Sequence, residues 1–141
     1  MPRHNRTQDI DCRLATERHH ALQGSAKIRL NQLDIGPMWE LNEKKLESLR
    51  QVFRKNGVYP LQTENHVEAI ISRQDLEHAL EKCGLTAHNF RMKGPEDLPV
   101  LDFAGRQLRC LHGKHRIQAV RDVLPRTKWW IVDIYLDGQK S

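Results

Sequence analysis

The sequence predicts an α/β (α+β) domain, a mixed sheet with flanking helices. Three observations carry this. Short apolar runs rich in β-branched and aromatic residues interleave with runs of helical period. Turn formers such as Gly36-Pro37, Asn56-Gly57 and Gly94-Pro95 separate them. A chain of 141 residues with 38% hydrophobic content supports one modest core.

The elements follow in order. Residues 1–25 are basic and His-containing and end in Gly-Ser-Ala. They read as a weakly ordered arm, with room for a short amphipathic helix over 10–22. Residues 26–33 alternate Ile28 and Leu30 and read as a strand, broken by Gly36-Pro37. The best-marked helix spans 40–57. Asn42 suits its N-cap and Glu43 its first turn; Leu46, Leu49, Val52 and Phe53 form its apolar stripe. Arg54 and Lys55 suit its negative end, and Asn56-Gly57 stops it.

Residues 67–72 read as a strand. Ser72 then caps a helix with Leu76, Ala79 and Leu80 inward, closed by Gly84. Residues 85–98 are full of turn formers and read as loop. Residues 99–103 and 106–111 read as a hairpin around Ala104-Gly105. A helix over 114–124 ends at Pro125, and 128–136 is an apolar strand near the core, with one of Trp129 and Trp130 facing inward. Residues 137–141 are a tail.

The formal charge of +5 permits a phosphate-bearing partner. The local excess is sharper. Arg106, Arg109, Lys114, Arg116, Arg121, Arg126 and Lys128 stand against Asp122 alone within 106–128. That balance suits nucleotide phosphates or a nucleic-acid backbone. No apolar window reaches the ~18–20 residues of a membrane span, so no membrane partner is expected. Three cysteines without framework spacing, and a polar stretch over 1–9, predict an intracellular protein, nuclear or cytoplasmic.

The chemistry concentrates in "LRCLHGKHRIQAV", residues 108–120. An apolar run stops at His112, Gly113 follows, and Lys114, His115 and Arg116 open a helix. Cations on the first turn oppose the helix dipole. An anion among them resolves the conflict: glycine lets the backbone approach it, and the first helical N–H groups point at it. Arg116 offers a planar fork, Lys114 a point charge and His115 an imidazole donor. Cys110, His112 and His115 are metal-ligand types, but a core thiol and phosphate-side histidines explain them better, and no metal site is expected. An acid on the solvent face is the plain account of Asp102 and Asp133. Asp133 also stands beside the motif, and with Trp39 it is a candidate pocket residue.

The order of elements and these residues resemble the ParB/sulfiredoxin-like fold. In ParB N-terminal domains a strand leads into Gly-Glu-Arg-Arg-x-Arg-Ala, which holds nucleotide phosphates. The run Gly113 to Ala119 matches it in position. Residues 41–61 resemble the family's first helix and Gly-Val-x-x-Pro turn, 99–111 the strand pair before the motif, and 129–136 the strand after it. The resemblance covers about 26–136, with 62–97 as an insertion. A closer likeness is to a fungal family of mobile-element cargo. It carries Cys-Leu-His-Gly-x-His-Arg and Trp-Trp-x-Val-Asp-x-Tyr, matched by Cys110 to Arg116 and Trp129 to Tyr135.

The resemblance implies a nucleotide site at His112, Gly113, Lys114, His115 and Arg116, with CTP or ATP and magnesium as cofactors. It implies a nucleotide switch or a phosphotransfer enzyme in DNA-related biology. Departures narrow this. Lys114 replaces the motif glutamate and Gln118 its last arginine. The family's magnesium-linked Glu-Asn segment has no match in the sequence. Lys114 also stands where sulfiredoxin has its reactive cysteine, which removes sulfinic-acid chemistry. Free-serine kinases of this fold share the His115-Arg116 pair but need an acidic base; Glu40 and Glu43 qualify by position only. Two further classes stay open: a nucleic-acid-binding module without turnover, and a partner-binding part of a longer protein. A homodimer is compatible with each.

Overall fold

In the computed structural model the described residues are 22–59, 62, 65–103 and 108–137. The arm as far as residue 21, the Ala104-Gly105 turn, Arg106 and the tail beyond 137 lie outside them.

A five-stranded mixed sheet organises the chain. β1 (Leu22–Arg29) leads through a 3-10 turn, Leu30–Gln32, into the short β2 (Leu33–Asp34). A second 3-10 turn, Met38–Glu40, precedes α1 (Glu43–Asn56). Then come β3 (Val67–Ile71), α2 (Arg73–Lys82), α3 (Ala87–Arg91), β4 (Leu108–His112), α4 (Lys114–Val123) and β5 (Trp129–Leu136). The spatial order is β1-β5-β3-β4-β2. β5 runs antiparallel to β1 and parallel to β3; β4 runs antiparallel to β3 and parallel to β2. The expected α/β (α+β) class with a mixed sheet and flanking helices is what the chain forms.

The helix limits follow from local chemistry. Asn42 Oδ1 accepts the Lys45 N–H at 3.0 Å, Ser72 Oγ the Asp75 N–H at 3.1 Å, and Thr86 Oγ1 the Asn89 N–H at 3.0 Å. Each cap satisfies an N–H that the first turn leaves without a partner. The segment 85–98, which reads as loop, contains α3 because Thr86 caps it and Phe90 anchors it at 1% exposure. Five residues give little period to read, so the turn formers around them dominate the sequence signal.

The strands differ from expectation in three places. β1 begins at Leu22, inside the segment read as an arm, because its pairing with β5 runs out to Leu22↔Tyr135. The strand expected over 26–33 breaks into a 3-10 turn at Leu30. Residues 99–103 do not pair with β4 among the described residues. They bond to β1 instead: Lys27 N–H donates to Pro99 O at 2.8 Å and Leu101 N–H to Lys27 O at 3.2 Å. The edge of β1 offers these groups a partner in place of β4. Residues 62–97, read as an insertion, supply β3, the middle strand of the sheet.

One sheet face makes the core. Ala26, Ile28, Val67, Ala69, Leu108, Cys110, Trp130, Val132 and Ile134 join Leu46 and Phe53 of α1, Leu76 and Leu80 of α2, and Ile117, Ala119 and Val120 of α4. Full burial of a Leu, Ile or Val contributes roughly 1.5–3 kcal/mol. Trp130 is inward at 1% exposure, its indole N–H donating to Asn65 O at 2.8 Å, while Trp129 is half-buried on the other face. α1 packs beside α4, and one arginine ties them. Arg50 donates to Asp122 of α4 and to Glu43 and Glu47 of its own helix.

The step from β4 to α4 is the tightest point. Gly113 has φ 98° and ψ 14°, a left-handed turn that reverses the chain from strand into helix. A Cβ built there would lie 2.7 Å from Val67 Cγ2, and Val67 is fully buried. Both conformation and contact therefore require glycine. Gly113→Ala is expected to lower stability by about 1–3 kcal/mol, read from urea unfolding midpoints.

Candidate functional site

The N-terminus of α4 is open. No side chain caps it, and its first intrahelical bond is Ile117 N–H to Gly113 O at 3.0 Å. The N–H groups of Lys114, His115 and Arg116 meet no acceptor among the described residues. Three N–H donors stand at the positive end of a ten-residue helix, where the local field favours negative charge.

The basic side chains have different surroundings. Arg116 is half-buried and has no hydrogen-bond or ion-pair partner among the described residues. Burial alone acts on its guanidinium and lowers its pKa. A cation that loses hydration without gaining a partner is costly to hold. Lys114 Nζ lies 3.6 Å from Glu40 Oε1, a partly exposed pair that contributes little and that another anion can displace. A Cβ built on Gly36 would come 3.0 Å from Glu40 Oε1 and 4.0 Å from Lys114 Nζ, so the 35–40 loop lies directly beside this turn.

His115 has a partner inside the fold. Its Nε2 accepts the N–H of Asn42, the N-cap of α1, at 2.8 Å. The ring therefore fastens the start of α1 to the start of α4. As an acceptor at Nε2, a neutral ring carries its proton on Nδ1. One donor remains for a ligand. His112 is mostly exposed, with Nε2 3.8 Å from Glu68 Oε1 on β3. Trp39, on the turn that carries Glu40, is 82% exposed.

Asp133 lies apart from this turn. It sits on β5, where its Oδ1 accepts the Ser25 hydroxyl at 2.6 Å and lies 3.0 Å from His66 Nδ1. The sheet register sets Ser25 of β1, Asp133 of β5, Glu68 of β3 and His112 of β4 in one row across four strands. This polar row reaches the motif only through His112. Its members are far apart in sequence, so no local pattern announces it. Ser25 donates to the acid and not to an imidazole, so the group lacks the order of a nucleophilic triad.

Of the two acids that matched a kinase base by position, Glu40 pairs with Lys114 and Glu43 with Arg50. Asp102 accepts from the Gln32 side-chain amide. Arg109 lies near Asp137, and Arg121 donates to the carbonyls of Leu30 and Leu33 at 2.5 and 3.0 Å. The basic excess of 106–128 is thus divided between work inside the fold and work outside it.

Cys110 is 2% exposed, and its thiol lies 3.3 Å from His112 O. Burial pushes its pKa up to about 12, against the pull of Lys114 and Arg121. It is a core group. Among the described residues no set of three His, Cys, Asp or Glu is placed to hold a metal ion.

Fold and junction together define a mixed α/β domain with an open, basic strand-to-helix turn. A family model described as "Protein of unknown function (DUF3723) N-terminal domain" matches residues 21–141, and the chain belongs to that family. No curated protein and no solved structure matches it.

Two outcomes test this local account. Nitrogen-resolved NMR of the His115 ring is expected to show the Nδ1–H tautomer, and an Nε2–H signal would contradict the bond to Asn42. The thiol of Cys110 keeps its proton in the fold, while an unfolded chain loses it near pH ~8.5. Its contribution is therefore complete below that pH and shrinks as pH rises toward about 12. Urea unfolding of the protein and of Cys110→Ala should give stabilities that draw together over that range.

Proposed function

We propose that this domain binds a phosphate-bearing ligand, a nucleotide, at the β4–α4 turn. The carrying observation is the half-buried, unpartnered Arg116 guanidinium on the first turn of a helix whose leading N–H groups are uncapped. Phosphate oxygens would satisfy those N–H groups and give Arg116 the partner that its burial calls for. Gly113 brings no side chain of its own to the turn and takes the left-handed backbone that joins β4 to α4. Lys114 would exchange Glu40 for a ligand phosphate, and His115 would donate from Nδ1.

Trp39 is exposed and next in sequence to Glu40, the partner of Lys114, which makes its ring the candidate surface for a base. The position of the turn, between the end of a strand and the start of a helix, supports the ParB/sulfiredoxin-like reading. CTP and ATP are the ligands that reading favours. For magnesium, the carboxylates seen beside the turn are Glu40, paired with Lys114, and Glu68, beside His112, so no step is assigned to the metal. On this reading the domain is a nucleotide switch or a phosphotransfer domain in DNA-related or mobile-element biology. It acts within the cell, alone, as a homodimer or with further domains of a longer chain.

A thermal-shift panel of ribonucleotides, with and without magnesium, tests the reading. A ligand at 100 times its Kd stabilises the fold by about 2.7 kcal/mol. Lys114→Ala and Arg116→Ala should each remove most of that response while leaving the unliganded melting temperature little changed. A panel that moves nothing, with amide signals of 113–117 unmoved by pyrophosphate, would overturn it.

A further inference from the structure

Gly36 to Glu40, the segment beside the α4 turn, are five consecutive exposed residues. Ile35 before them is 5% exposed, and Leu41 after them packs against the core. Between these anchors the chain bonds to its own neighbours. Gly36 N–H donates to Asp34 Oδ1 at 3.0 Å, Glu40 N–H to Pro37 O at 3.1 Å and Leu41 N–H to Met38 O at 3.0 Å. Gly36 takes φ 79°, in the left-handed region, which puts a glycine at the entry to the segment. Met38 and Trp39, its large apolar side chains, are both mostly exposed, so neither holds it to the core. A short turn with its own hydrogen bonds and little buried surface moves at low cost.

What ties this segment to α4 is a charge. Glu40 Oε1 lies 3.6 Å from Lys114 Nζ, and both side chains are partly exposed. The tie falls on the first turn of α4, where Arg116 has no partner among the described residues and no side chain caps the helix. Glu40 thus sets a carboxylate where the cations of the turn collect. The next contact along the chain is of another kind. Asn42 N–H donates to His115 Nε2 at 2.8 Å, on the ring nitrogen that carries no proton in the neutral form, so a phosphate oxygen has no claim on it. That bond fixes the far end of the segment, while the Glu40 contact stays exchangeable.

We infer that residues 36–40 are an autoinhibitory strap on the nucleotide turn: Glu40 holds Lys114 in place of a phosphate, and the ligand must release it to bind. The inference rests on the phosphate reading of that turn and adds its regulation. With the strap closed, Lys114 is occupied and a negative charge borders the site. With it open, Lys114 joins Arg116. The apparent affinity of the ligand is reduced by the fraction of molecules whose strap is open. A partly exposed ion pair favours the closed form by about fivefold at most, so the strap sets a threshold and does not shut the site. Linkage makes the release a signal as well: phosphate bound at the turn moves the surface that carries Met38 and Trp39.

Calorimetric titration with pyrophosphate, paired with nitrogen-15 relaxation of the backbone, tests the strap. Pyrophosphate has the phosphates and no base for Trp39 to meet. Glu40→Gln keeps the shape of an exposed side chain and should tighten binding about three- to fivefold. Glu77→Gln, the same charge change on an exposed position of α2, should leave it unchanged. In the wild-type protein the amides of 38–40 should become more mobile when pyrophosphate binds, while that of Asn42, held by His115, should not. Glu40→Gln should show the same mobility before any ligand is added. Tightening without this loosening makes Glu40 a repelling neighbour only and overturns the strap. Loosening without tightening overturns it too, as does equal tightening in Glu77→Gln. In each of these cases the phosphate reading stands. Pyrophosphate that binds neither the wild type nor Glu40→Gln removes the phosphate reading and the strap with it.

Discussion

The packing of a glycine against a valine governs this molecule. β4 must stop, reverse and become α4 within one residue, and it does so against the wall of β3. At that point the left-handed backbone of Gly113 lies against Val67, with no room for a Cβ between them. From this contact the rest follows. α4 is held close over the sheet, so Ile117, Ala119 and Val120 are fully buried. Its first turn is set beside the 35–40 loop, and its last turn beside the ends of β1 and β5.

Polar contacts then fix the pairing of the two long helices. Arg50, anchored on α1 by Glu43 and Glu47, reaches Asp122 near the end of α4. At the other end, His115 takes the N–H of Asn42. The carboxylates and Arg50 reinforce one another: the bond from Arg50 holds Glu47 below the usual carboxylate range, and the acids raise Arg50 further. These contacts lie at the rim of an apolar interface, so they set direction more than they add stability. The start of α4 is left without a side-chain cap, while the imidazole on its first turn serves α1.

Much of this architecture is legible in the sequence where the signal is local. The caps at Asn42 and Ser72, the stop at Gly57 and the apolar run of β5 are set by neighbours in the chain, and they fall where pattern places them. The turn at Gly113 is legible for the same reason. What escapes is what depends on distant partners. The lateral order β1-β5-β3-β4-β2 separates neighbours in sequence, so 99–103 turned to β1 and not to β4. The Ser25–Asp133–His66 cluster joins three remote segments. His115 carries a phosphate-site pattern, yet its ring is engaged with a backbone group 73 positions away, and no spacing rule reports that.

The sheet's lateral order also bears on how the chain matures. β1, among the first described residues, finds its mate in β5, among the last, and the central β3 touches both β4 and β5. A nascent chain leaving the ribosome therefore holds β1 unmated until β5 has been synthesised. Bonds of such long sequence reach form late and slowly. Until they close, Ala26 and Ile28 of β1 stay in water, and an apolar strand with an open edge is the form of the chain most prone to pair with the wrong partner.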